Sequence, residues 1–213
     1  MSEVTLTKEE KVQRYKKLNE SCLKEQIVFA GSSLMEMFPI EKFAEEDHLG
    51  MTVYNRGIGG YVTQELLDSI DTCILDLKPS RLFINIGTND LSRPDISIGE
   101  IMEQYEKLLE QVLAEIPNCR ITLMAYYPVN YEAAAEEMKP VLEIRSNEKI
   151  TLANQAVREL ARRKGLRFID VNDPLKDELG RLKAEYTIEG MHITEAGYRA
   201  IYPLVRNYLI NPD

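Results

Sequence analysis

The sequence predicts an α/β fold, a three-layer α/β/α sandwich on a five-stranded parallel sheet, and two observations carry that prediction. Five short β-rich runs recur along the chain: "QIVFAG" (26–31), "MTVYNR" (51–56), "RLFINIG" (81–87), "RITLMAY" (120–126) and "LRFIDV" (166–171). Each is apolar almost without a break, as strands are when helices cover both faces of a parallel sheet. Stretches with helical periodicity lie between them, and alternating β and α segments give a doubly wound sheet with right-handed crossovers.

The clearest helix covers 97–116, where Ile101, Tyr105, Leu108, Leu109 and Val112 form one apolar stripe that faces a core. A second covers 146–164, with Ile150, Ala153, Val157, Leu160 and Ala161 on one face and Gly165 placed to end it in the left-handed conformation. The last runs from about Thr194 to Leu209. Residues 127–146, "YPVNYEAAAEEMKPVLEIRS", are the least regular, and read either as a surface excursion or as a wall or lid over a site. Tyr126, Tyr127 and Pro128, which end the fourth strand, either wall an acyl or alcohol pocket or pack beneath the irregular segment.

At 213 residues, 44% of them hydrophobic, the chain can bury one sizeable core and is short for two. It reads as one domain over 1–213, with residues 1–25 as a helical extension packed on it. The net charge of −9 argues against a nucleic-acid partner, because neutralising phosphates takes clustered Lys and Arg. Cys22, Cys73 and Cys119 are odd in number, far apart and outside any CxxC spacing, which suits reduced thiols better than a disulfide frame or a zinc site. The charged start "MSEVTLTKEEKVQRYKKLNE" lacks the apolar stretch of a signal peptide, and no apolar run approaches the roughly 20 residues that span a bilayer. A cytoplasmic protein without stable membrane insertion is the expectation.

Ligands of a doubly wound sheet bind beyond the carboxyl ends of the strands, near the point where strand order reverses. Gly31, Ser32 and Ser33 follow the first strand, "NRGIGGY" (55–61) the second and "GTND" (87–90) the third, while "IEGMHITEAGY" (188–198) precedes the last helix. His192 has Glu189 three residues before it, on the same side of a helical turn, so a carboxylate there can accept from Nδ1 and leave Nε2 facing outward. That pair is the base-and-orienter half of a Ser-His-acid triad. Gly60 offers a backbone N–H that a substrate can approach closely, and Asn89 a side-chain amide, both suited to an oxyanion. Viewed singly, Gly60 is equally a tight turn, Asn89 a helix cap, and either serine a cap.

Competing motifs fail. A dinucleotide fingerprint starting at Gly57 needs glycine where Val62 stands, and the chain has no P-loop, H-E-x-x-H or G-x-S-x-G. "DLSRPD" (90–95) clusters acids as a solvated loop does, and His48 reads as exposed among acidic neighbours. No metal or other cofactor is expected.

Taken together, "VFAGSSL", "NRGIGG", "GTND" and "EGMHITEAGY" resemble, in order, the four blocks of the SGNH (GDSL-type) hydrolases. Within that family "NRGIGGY", "GTND" and "RSNEKI" look closest to bacterial relatives of platelet-activating-factor acetylhydrolase catalytic subunits. The resemblance implies a flavodoxin-like sheet order, Ser33 as nucleophile, His192 as base with Glu189 orienting it, and Ser33 N–H, Gly60 N–H and Asn89 as oxyanion donors. It departs from the family at Ser32 and Glu189, where aspartates are usual. The expected activity is hydrolysis of short-chain, chiefly acetyl, carboxylic esters. A carbohydrate O-acetylesterase or a lysophospholipase would use the same residues, and a binding protein with a decayed site is the reading of another class. A small-molecule ester is the expected partner, and the resemblance to dimeric subunits implies a homodimer.

Overall fold

The computed structural model describes residues 6–211. Five parallel strands, β1 (Ile27–Gly31), β2 (Val53–Gly57), β3 (Arg81–Asn85), β4 (Arg120–Met124) and β5 (Arg167–Ile169), form one sheet in the order β2-β1-β3-β4-β5. Most strands stop short of the apolar run that predicts them. Ile86, Ala125, Tyr126 and Val171, past the strand ends, are still at most 1% exposed. An apolar run therefore reports burial, which continues below the loops after the hydrogen-bond ladder has ended.

The helices are α1 (Lys8–Asn19), α2 (Ser33–Glu36), α3 (Ile40–Glu46), α4 (Thr63–Asp68), α5 (Ile70–Cys73), α6 (Thr88–Leu91), α7 (Ile98–Glu115), α8 (Lys139–Ile144), α9 (Asn147–Lys164) and α10 (Glu195–Ile210). Alternate strand residues point to opposite faces of the sheet. Val28, Ala30, Leu82, Ile84, Ile121 and Leu123 meet α7 and α9, whose predicted stripes are buried throughout. Ile27, Phe29, Phe83, Met124 and Ile169 meet α2, α3 and α10. Phe29 and Phe83 stack across β1 and β3 at 4.7 Å, in the middle of that second core. Gly165 ends α9 at φ +67, its N–H donating back to the carbonyls of Ala161 and Arg162.

Within the described residues the N-terminal extension is helical over α1, with turns from Glu20 to the start of β1, and it is held to the sheet edge by polar contacts. Its first five residues lie outside the described residues. Thr7 and Glu10 close a capping box at the start of α1. At its other end, buried Arg56 of β2 donates to Asn19 Oδ1 at 3.0 and 3.1 Å, with its guanidinium 5.0 Å from the Tyr15 ring and 5.2 Å from the Tyr54 ring.

Tyr126 and Tyr127 pack rather than line an open surface, at 0% and 2% exposure, and Tyr126 donates to the Ile86 carbonyl at 2.8 Å. His48 is exposed, and Arg93 pairs with Asp95 in the acidic loop. Among the described residues no helix is long and apolar enough to cross a membrane. All three cysteines are free; Cys73 and Cys119 are buried, which pushes each thiol up to about 12, while Cys22 is half-buried. An aromatic disulfide reagent is therefore expected to label one thiol, Cys22, in the folded protein and all three in denaturant; rapid labelling of Cys73 or Cys119 under native conditions would contradict this packing.

Candidate active site

The strand order reverses between β1 and β3, and the four sequence blocks converge there. Ser32 and Ser33 follow β1 directly and have different surroundings. Ser32 is the N-cap of α2, and its carbonyl accepts from Met35 N–H at 3.1 Å and Glu36 N–H at 2.9 Å. Its side chain makes no cap; it is fully buried, with Oγ 3.4 Å from Thr88 Oγ1. Ser33, one residue on, is partly exposed and places Oγ 2.9 Å from His192 Nε2.

The other imidazole nitrogen, Nδ1, is hydrogen-bonded to Glu189 Oε1. The spacing argument reached this pair by assuming a helical turn, and the structure replaces that turn with a loop. Thr187 and Ile193 form an antiparallel bridge at its base, and Gly190 sits at φ +96, a conformation that other residues rarely hold. Thr187 Oγ1 accepts from Gly190 N–H at 2.8 Å and donates to the His192 carbonyl at 3.1 Å. Glutamate, one methylene longer than aspartate, folds back far enough that both its oxygens also lie 3.3 Å from His192 N–H.

The irregular segment clasps this loop from outside. Asn130 N–H donates to the Gly190 carbonyl at 2.8 Å, and Ala135 N–H to the Glu189 carbonyl at 3.4 Å. Of the two readings open in the sequence, surface excursion or wall, residues 130–135 form a wall.

Gly60 lies in the loop between β2 and α4, and Asn89 in the short helix α6. Asn89 Nδ2 donates to the Tyr61 carbonyl at 2.9 Å, which uses one amide hydrogen and leaves the other. The N–H groups of Ser33 and Gly60 have no acceptor among the described residues. Gly60 holds φ +77, and a Cβ at Gly59 would lie 3.8 Å from Ser33 Cβ, so the loop runs right beside the expected nucleophile.

Several residues that sequence reasoning did not single out hold these loops. Glu36 Oε2 accepts from Gly59 N–H at 2.7 Å and from Lys11 Nζ at 2.9 Å, linking α2, the glycine loop and α1. Asn55 Nδ2 donates to the carbonyls of Met35 and Phe38 at 2.6 and 3.0 Å, and Tyr15 donates to the Gly57 carbonyl at 2.7 Å. Glu36 is three residues after Ser33, so the spacing rule applied to Glu189 and His192 places it beside the serine but does not give its reach to Gly59. Asp90, beside Asn89, is buried and accepts both the N–H and the hydroxyl of Thr63, at 2.9 and 3.2 Å. Burial pushes its carboxyl above the usual range, and the Thr63 donors oppose that shift.

A hydroxyl within hydrogen-bond reach of an imidazole, with a carboxylate on the far nitrogen and free N–H groups alongside, is an arrangement suited to acyl transfer. The family model of GDSL-like lipases and acylhydrolases matches residues 41–200. The chain belongs to that family. Among solved structures, this GDSL-like acylhydrolase is similar to a Streptococcus pneumoniae protein provisionally assigned as a platelet activating factor: 36% identity over 95% of this chain and 92% of the other, with a TM-score of 0.83. A provisionally assigned acylhydrolase from Bacteroides fragilis is 22% identical over 94% of this chain and 96% of its own, with a TM-score of 0.78. An acetylxylan esterase from Geobacillus stearothermophilus shares the fold at 18% identity, over 88% of this chain and 94% of its own, with a TM-score of 0.64. No curated protein matches the chain.

Proposed function

We propose that this acylhydrolase is a serine esterase that cleaves short-chain, chiefly acetyl, carboxylic esters through Ser33, His192 and Glu189. The observation that carries the reading is the 2.9 Å contact between Ser33 Oγ and His192 Nε2, with Nδ1 of the same ring on Glu189. In the first half-reaction Ser33 Oγ attacks the ester carbonyl as its proton passes to His192. The resulting oxyanion is held by Ser33 N–H, Gly60 N–H and the remaining Asn89 amide hydrogen. His192 then gives the proton to the departing alcohol. Water, deprotonated by the same imidazole, releases the acid and restores Ser33.

The preference for short acyl groups is supported by the rim beside Gly60. A Cβ at that position would lie 3.2 Å from Lys8 Cε. Lys8 pairs with Glu65 at 2.8 Å and Lys11 with Glu36 at 2.7 Å, so this side offers ion pairs rather than apolar surface to an alkyl chain. The same polar rim suits a sugar alcohol, and the fold is shared with an acetylxylan esterase, so acetylated saccharides belong in the test.

The test is metal-free hydrolysis of p-nitrophenyl acetate, butyrate and hexanoate and of an acetylated xylo-oligosaccharide, with Ser33→Ala as the blank. The expected result is a kcat/KM that falls about tenfold or more from acetate to hexanoate. Rates that rise with chain length would overturn the acetyl preference, and equal rates with and without the Ser33 hydroxyl would overturn the mechanism.

A further inference from the structure

Arg145 is 2% exposed, in the short link between α8 and α9. A guanidinium carries five N–H donors. Nη1 donates to the Thr88 carbonyl at 2.9 Å, while Nε and Nη2 have no partner among the described residues. Burying a cation with so few hydrogen bonds costs far more than burying an apolar side chain of the same size, so packing alone does not account for an arginine here.

Its surroundings are the two halves of the site. Thr88 precedes Asn89, so the Arg145 bond fixes the turn that presents the Asn89 amide. Burial pulls the guanidinium down to about 10 while the charge of Glu189 pushes it back up, so Arg145 is a cation at neutral pH and Glu189 is the carboxylate it feels. Its own segment also reaches that glutamate, through Ala135 N–H on the Glu189 carbonyl. The other charged groups near the turn are engaged elsewhere: Asp90 with Thr63, Lys149 with the Leu91 carbonyl at 2.8 Å, and His192 with Glu189 and Ser33.

Resting on the esterase reading above, we infer that Arg145 is a positioning residue for that reaction, one buried cation that anchors the Asn89 turn through Thr88 and attracts the carboxylate of Glu189. It touches no substrate; it acts through the oxyanion donor and through the acid behind the base.

The experiment compares wild type, Arg145→Met and Arg145→Lys for thermal stability and for p-nitrophenyl acetate hydrolysis across pH. Methionine fills much of the volume without the charge, so Arg145→Met is expected to keep or raise the melting temperature. Its kcat is expected to fall about 10- to 100-fold while KM stays within about threefold. Withdrawing a positive charge from beside the Glu189–His192 pair makes protonation of that pair easier, so the acid limb of kcat/KM moves to higher pH by about one unit. Arg145→Lys, which keeps the charge but not the planar fork, is expected to restore the limb and only part of kcat. Wild-type kcat and an unmoved acid limb in Arg145→Met would overturn the inference. Should that variant not fold, Arg145→Lys decides: reduced kcat on an unmoved limb supports the inference, and wild-type kcat overturns it. Failure of the esterase reading appears separately, as equal rates for wild type and Ser33→Ala.

Discussion

Ser33→Ala is expected to lower kcat on p-nitrophenyl acetate by about 10⁴-fold or more, the scale seen when a triad nucleophile is removed. Thermal stability should change by only a few degrees, because the hydroxyl is partly exposed and its one side-chain partner is His192. Ser32→Ala should behave oppositely. That hydroxyl is buried at 3.4 Å from Thr88 Oγ1, so its loss removes a weak internal contact and keeps kcat within about tenfold of wild type. A Ser32→Ala variant without activity beside an active Ser33→Ala would reverse the assignment. His192→Ala should match Ser33→Ala in magnitude, and the double variant should be little worse than either. Groups that act as one unit lose their joint contribution at the first deletion, whereas independent contributions would multiply.

The five strands and the stripes of α7 and α9 were legible in the sequence, since side-chain periodicity is set within each element. Ser33 rather than Ser32 was implied only by the block pattern that the chain resembles; residue by residue, either serine could cap a helix. The Glu189–His192 pairing was found from its spacing, although the backbone that produces it is a glycine-dependent loop rather than a helical turn. Contacts between segments distant in sequence were not legible. The clasp of Asn130 and Ala135 on the 189–190 turn, the reach of Glu36 to Gly59, and the burial of Arg145 against Thr88 each depend on where two chain segments meet. "RSNEKI" reads locally as the polar start of a helix, which it is, and nothing local says that its arginine turns inward.

Gly31→Ala is expected to be the most damaging single methyl group near the site. Its Cβ would lie 2.1 Å from the Asn85 carbonyl oxygen and 2.6 Å from Met35 Cγ. The methionine can move, but the carbonyl cannot, because Gly31 pairs with Asn85 on one side and Gly57 on the other, in the middle of the sheet. A Cβ has no rotamer to escape into, so relief requires prying β1 from β3. The expected loss is about 3 kcal/mol or more, a fall of about 6–12 °C in Tm for a chain of this size. Activity should fall as well, since Ser33 is two residues away and its approach to His192 follows the strand end. Gly57 is under the same constraint from the other side, where a Cβ would come within 2.2 Å of Glu36 N. Gly99→Ala is the control: Gly99 is exposed near the start of α7, with nothing closer than 3.7 Å to a new Cβ, so alanine there should stabilise by up to about 0.5–1 kcal/mol. A Gly31→Ala protein with wild-type Tm would mean that β1 and β3 are not this close where the chain leaves the sheet for Ser33. If Gly31→Ala is unstable while Gly99→Ala is not, the missing side chain at Gly31 is what lets β1 lie this close to β3 where the chain turns out toward Ser33.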